Sequence, residues 1–144
     1  MATQRDNPYG EYNFLVELSG IAVAGFSEVS GLSAESTVIE YRTGADRVNS
    51  VRKIPGLTKY PNIVLKRGVS GDLTLWQWIS QTIQGNVQRV DGSIVLLDEA
   101  RNPVLRWNFR RGWPCRHEGP SLSAKGGQVA IETLEICHEG FEIE

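Results

Sequence analysis

The chain has 144 residues, 40% of them hydrophobic and 22% charged, and its 15 Lys+Arg against 17 Asp+Glu give a formal net charge of −2. That length supports a single globular domain over 1–144 with its own core, without disulfides or a structural metal. The charge balance argues against a dedicated nucleic-acid binder, and no apolar run approaches the roughly 18–20 residues of a membrane helix.

Residues 1–11 read as a polar arm, and ATQRDNPYG lacks the apolar stretch of a secretory signal, so synthesis in the cytosol is expected. Tyr12–Leu18 alternates, with Phe14, Val16 and Leu18 on one face. Ser19-Gly20 signals a turn, and Ile21–Val29 is expected as the hairpin partner. Thr37–Arg42 follows the Gly31-Leu32-Ser33 break as a third strand, and Asn62–Arg67, opened by Pro61, is a fourth. The stretch 43–61 between them reads as an extended loop, long for a compact domain. Its Val48, Val51, Ile54, Leu57 and Tyr60 argue against disorder, and apolar side chains on a protruding loop need a surface to bury them.

Residues 72–84 break the period of two. Leu75, Ile79 and Ile83 recur at helical spacing beside Trp76 and Trp78, with Gln77, Gln81 and Gln84 opposite. This is the one substantial helix expected, capped by Ser70 or Asp72, closed by Gly85, and packed on a sheet through Leu75, Trp76, Ile79 and Ile83. Val90–Leu97, Val104–Arg111 and Val129–Ile136 complete the strands. In the second of these, Leu105, Trp107 and Phe109 oppose Arg106, Asn108 and Arg110, giving one buried and one wet face. The fold class is therefore mainly β, with one helix.

Chemistry-bearing motifs are sparse. Cys115-Arg116-His117 and Cys137-His138 lack the spacing of zinc modules, and on a strand Cys137 and His138 point to opposite faces. A Cys115–Cys137 disulfide is disfavoured in a reducing compartment, leaving two small buried thiols as the expectation. No Gly-rich phosphate loop, G-x-S-x-G or H-E-x-x-H is present, and Glu132 and Glu135 would face opposite ways on a strand. Neither an enzyme nor a cofactor is expected.

Charge is segregated along the chain. Residues 42–67 hold seven basic residues and one acidic, whereas 132–144 hold five glutamates and no base. These blocks either neutralise each other within one subunit or meet between subunits, and complementary patches at different places on one surface make head-to-tail contacts. A single-stranded nucleic-acid surface would use Arg101, Arg106, Arg110, Arg111 and Arg116 with Trp107 and Phe109, but the alternation sets the aromatics opposite Arg106 and Arg110.

Four ordered blocks, YNFLVELSGIAVAGFSEVSGL, IPGLTKYPNIVLKRGVSGDLTLWQW, NFRRGWPCRHEGPSLSA and VAIETLEICHEGF, resemble the tube protein of contractile phage tails and extracellular contractile injection systems. The likeness is strongest to the antifeeding-prophage and Photorhabdus virulence-cassette subunits and runs from Tyr12 to Phe141. Cys115, His117 and Cys137 stand where that family would have ordinary residues. The resemblance implies two packed antiparallel sheets and a helix. It further implies a homo-hexameric ring whose sheets join into a continuous β-barrel, and rings stacked into a hollow tube. Implied partners are the sheath, baseplate, hub and spike proteins, a tube terminator or cap, and protein cargo in the lumen, with no membrane insertion by this chain alone. Assembly in the bacterial cytoplasm would precede a place in a virion or extracellular particle. On the same resemblance 43–61 is a stacking loop, with Arg47, Arg52, Lys53, Ile54, Leu57, Lys59 and Tyr60 as contact residues. Glu139, Glu142 and Glu144 are their expected receivers. The alternatives are a type VI secretion ring protein and a monomeric barrel that binds a small ligand.

Overall fold

The computed structural model describes residues 8–144 apart from Gly20 and Ala24, so most of the polar arm expected over 1–11 lies outside the described residues. The described elements are β1 (Phe14–Leu18), β2 (Ile21–Val23), β3 (Phe26–Ser30), β4 (Glu35–Tyr41), β5 (Arg52–Lys59), β6 (Ile63–Gly68), α1 (Thr74–Ile83), β7 (Val90–Leu97), β8 (Pro103–Glu118), β9 (Ile131–Cys137) and β10 (Phe141–Ile143).

Two antiparallel sheets pack face to face and share β8. The first runs β2-β1-β7-β8-β10 and uses the N-terminal part of β8; the second runs β8-β9-β6-β3 and uses its C-terminal part. Alternation sets what each strand buries. Val16 on β1, Ile94 on β7 and Phe109 on β8 meet Ile63 and Leu65 of β6 and Leu134 and Ile136 of β9, with Leu75 of the helix in the same core. The chain turns between the sheets at special backbone positions. Arg111, with φ 51°, precedes Gly112 at the bend in β8, and a Cβ on Gly112 would lie 2.5 Å from the Phe109 ring.

Three sequence expectations change here. The single strand expected over Ile21–Val29 is two: Val23 pairs with Val16 in the first sheet, and Phe26 pairs with Arg67 in the second. Gly25, at φ 90°, makes that crossing in a conformation that strains any residue with a Cβ. The loop expected over 43–61 holds β5, which pairs with β4 as a separate two-stranded sheet. The strand expected over Val104–Arg111 extends to Glu118, and β10, too short to show a period, joins its flank.

The helix spans Thr74–Ile83, and Leu75 and Ile79 are buried beneath it. Trp76 and Ile83, expected to pack with them, are 48% and 69% exposed. A ten-residue helix laid against β8 covers one stripe of its own surface. Ile83 sits at its last position, and Trp76 reaches sideways to meet His117 edge-on at 5.6 Å. Trp78 packs on the core and donates its indole N–H to the Gln88 carbonyl at 3.0 Å.

Neither expected cap takes the capping position, which Leu73 occupies without a side-chain cap bond; Asp72, just before it, has its carboxylate accept from the Thr74 backbone N–H at 3.0 Å. Gly85, at φ 89°, follows the last turn. The Thr74 bonds and the Arg67 guanidinium hold the Asp72 carboxyl well below its usual range, at about 2. A depressed carboxylate contributes stability above its unfolded pKa and loses it as pH falls through the folded one. The melting temperature is therefore expected to drop between about pH 4 and pH 2, and Asp72→Asn should flatten that part of a thermal-melt series taken by circular dichroism.

Arg67 has the least expected place in the fold. Only 3% exposed, it points inward from β6. Its Nε donates to Glu132 Oε1, Nη1 donates to Asp72 Oδ2 at 3.0 Å, and Nη2 donates to the Asp72 carbonyl at 2.9 Å. The other Glu132 oxygen lies 3.2 Å from His117 Nε2. Burial alone would lower the Arg67 pKa, but the bonds and charges of Glu132 and Asp72 more than offset it and raise it.

Candidate assembly surfaces

The β4–β5 hairpin rises from the end of the second sheet, where Ser30 of β3 pairs with Val64 of β6. Ile39 pairs with Ile54 and Glu40 with Lys53, and a bulge between Ser36 and Val38 shifts the register. Gly56 permits the close approach there, because a Cβ would meet the Thr37 carbonyl at 2.9 Å. Both faces stay open: Val38, Ile39, Tyr41, Val48, Ile54 and Leu57 are exposed, Leu57 by 79%. A two-stranded ribbon with neither face covered is marginal in water, so this one calls for a partner surface.

The tip is organised by Asp46. Its carboxylate accepts from the Thr43 N–H at 2.9 Å and from Arg52 Nη2 at 3.0 Å, while Arg42 donates to the Val48 and Asp46 carbonyls. Arg52 thus closes the loop of its own hairpin, whereas Arg47, Lys53 and Lys59 make no ion pair among the described residues. Ile54 and Leu57 lie on the open ribbon. Tyr60, expected with the contact residues, is half-buried at the root, edge-on to Phe141 at 5.3 Å and 5.9 Å from His138.

The glutamates expected as receivers separate in the same way. Glu139 pairs with Arg111 at 2.9 Å. Glu142 and Glu144 are exposed at the edge formed by β10, and neither joins an ion pair among the described residues. Glu132 faces inward and Glu135 outward, where it binds Arg116 at 3.0 Å. Among the described residues no ion pair joins the hairpin to the C-terminal glutamates.

The basic cluster on β8 has the wrong form for nucleic acid. Arg106 is held by Glu17 at 2.9 Å, Arg111 by Glu139 and Arg116 by Glu135, while the Phe109 ring lies in the core. Among the described residues, no group of three His, Cys, Asp or Glu side chains is placed to hold a metal. A cleft of about 710 Å³ opens between the sheets, lined by Tyr12, Phe14, Val29, Leu32, Ile94 and Trp107 among others.

The family model of the T4-like virus tail tube protein gp19 matches residues 10–142. The chain is a tail tube protein. It resembles a chain in the cap of the anti-feeding prophage, the tube terminating cap, at 30% identity and a TM-score of 0.86, covering 100% of this chain and 95% of that one. A chain in the anti-feeding prophage baseplate is 26% identical with a TM-score of 0.87, covering 97% of each. A chain in the sheath-tube complex of the extracellular contractile injection system PVC, in its extended state, is 27% identical with a TM-score of 0.85, covering 95% and 91%. No curated protein sequence matches this tail tube protein. Its two-sheet sandwich with one helix is the tube-protein fold of contractile injection systems.

Proposed function

We propose that this tail tube protein is the structural, non-catalytic subunit of a hollow inner tube. Six copies close a ring, and their sheets join edge to edge through β2 and β10 of the first sheet and β3 and the C-terminal part of β8 of the second. Such joining would satisfy open edges that an isolated sandwich leaves exposed. Rings then stack, with the β4–β5 hairpin of each subunit docking on a neighbour, and a sheath drives the tube through a target envelope. Baseplate, hub, spike and terminator or cap proteins bound its ends, and protein cargo travels in its lumen. Assembly takes place in the bacterial cytoplasm, before release as a virion or extracellular particle. The observation that carries this reading is the hairpin itself: two strands with apolar side chains open on both faces, beside Arg47, Lys53 and Lys59, which make no ion pair among the described residues. Glu142 and Glu144 supply a surface of opposite charge on another part of the subunit.

The test separates assembly from folding. Negative-stain electron microscopy of the purified protein across a concentration series, with baseplate proteins added as nuclei, is expected to show rings and tubes with sixfold end views. Leu57→Asp combined with Lys53→Glu and Lys59→Glu should reduce pelletable tube by at least about tenfold, because apolar contact and charge attraction are lost together. The circular-dichroism melt should stay at the parent value. Tubes formed as readily as by the parent would remove the hairpin from the stacking contact.

A further inference from the structure

Cys115 occupies the bulge at which β8 passes from the Pro114–Ile136 pair to the Arg116–Glu135 pair, and Cys137 stands opposite Trp113 on β9. The two side chains therefore leave adjacent antiparallel strands at diagonal positions, near enough for one longer side chain to touch both. Asn62, at the entry to β6, spans both. Its Nδ2 donates to Cys115 Sγ at 3.5 Å, and Cys137 Sγ donates to Asn62 Oδ1 at 3.2 Å. Cys115 Sγ also donates to the Glu135 carbonyl at 3.5 Å, so the two sulfurs share one partner, the Asn62 amide. Both are half-buried and both are free. Closing a bond between the sulfurs gives up two S–H donations, from Cys137 to Asn62 Oδ1 and from Cys115 to the Glu135 carbonyl.

We propose that Cys115 and Cys137 are a redox pair that closes into an intramolecular disulfide when the protein passes from a reducing to an oxidising medium, with a small-molecule disulfide such as oxidised glutathione as the oxidant. Burial, with the neighbouring Cys137 thiol, pushes the Cys115 thiol up to about 12, which disfavours Cys115 as the first nucleophile, and the route proposed enters through Cys137. Cys137 loses its proton to solvent and attacks one sulfur of the oxidant. The oxidant's S–S bond breaks, a mixed disulfide forms on Cys137, and the first small thiolate leaves and takes a proton from solvent. Cys115 sulfur then attacks the Cys137 sulfur, and its proton ends on the second departing thiolate. The two cysteines are oxidised by two electrons and the small disulfide is reduced to two thiols. The new bond ties the edge of the second sheet, at β8, to β9 and closes the base of the exposed connection 119–130.

The experiment uses the soluble subunit, so its result does not depend on whether tubes form. The protein is equilibrated in reduced or oxidised glutathione, denatured and alkylated, and its intact mass and peptide map are recorded. Oxidation is expected to remove two hydrogens from the intact mass, protect both thiols from alkylation and yield a peptide joining Cys115 to Cys137. The oxidised form should melt about 5–10 °C above the reduced form, because the bond closes a loop of medium length in the unfolded chain. Cys115→Ser should stop at a glutathione adduct on Cys137, with a melting point near that of the reduced parent. Two alkylatable thiols after oxidation, a persistent glutathione adduct on the parent, or a disulfide joining two subunits would each overturn the proposal.

Discussion

Glu132→Ala is expected to destabilise the subunit by about 3–5 kcal/mol, the usual cost of removing one partner from a buried ion pair. Arg67 would keep Asp72 at its outer end but lose the carboxylate facing its Nε, inside a core that excludes water. For a domain of this size the loss corresponds to a melting point lower by roughly 10–15 °C. It would also take a large share of the about 5–15 kcal/mol that holds a typical domain folded. The control is the double variant Arg67→Met with Glu132→Leu, which removes both charges and keeps the volume. Such replacements are often neutral or better, so the pair should melt well above Glu132→Ala alone. Equal losses in the single and double variants would show that packing, not the uncompensated charge, sets the cost. His117, 3.2 Å from Glu132, is present in both proteins and so cancels in the comparison.

Phe109→Ala carries a loss of similar size, about 3–5 kcal/mol, from apolar burial and the cavity left behind. The ring is 2% exposed and sits over two glycines. A Cβ on Gly92, its partner across the β7–β8 ladder, would come within 2.4 Å of it, and one on Gly112 within 2.5 Å. Those glycines give the ring its space, so little around the site can collapse into the void. Phe109→Leu should cost about 1–2 kcal/mol and retain a cooperative transition. Urea unfolding with an unchanged m-value would confirm that both losses belong to the native state. A Phe109→Ala cost below about 1 kcal/mol would show that the sandwich closes over the gap.

Which elements the sequence disclosed follows from how each is buried. Val90–Leu97 matches β7 at both ends because an amphipathic strand writes its burial as a period of two. β5, RKIPGLTK, has seven of its eight residues exposed, so there was no buried face to impose a period, and Pro55-Gly56 reads as a break. The same openness that hides the strand leaves its apolar side chains without a covering surface within the subunit. Leu57 and Ile54 are exposed on it, while whether 43–61 meets a partner belongs to the proposal above. The places of Arg52 and Tyr60 depended on Asp46, Phe141 and His138, contacts that local pattern does not encode.

The Arg67–Glu132 pair left a trace that period-two reading passes over. Ile63, Leu65 and Arg67 share one side of β6, and Glu132, Leu134 and Ile136 share one side of β9. One charge of each sign at an inward register, on two strands with open pairing, is the sign of an ion pair across a ladder. The two cysteines gave no such sign, because their sharing of Asn62 depends on a one-residue bulge in β8.

Sixteen residues long, β8 is one unbroken peptide running through both halves of the sandwich. Over its first stretch it is hydrogen-bonded on both sides, to β7 and β10, and over its second to β9. Force that pulls the two halves apart along this strand meets covalent chain at the bend and must shear rows of hydrogen bonds together. Force applied across a strand edge instead peels them one by one. A rod built of such subunits would transmit a thrust from end to end through backbone as well as through side-chain contacts, with β8 acting as the tendon of each unit.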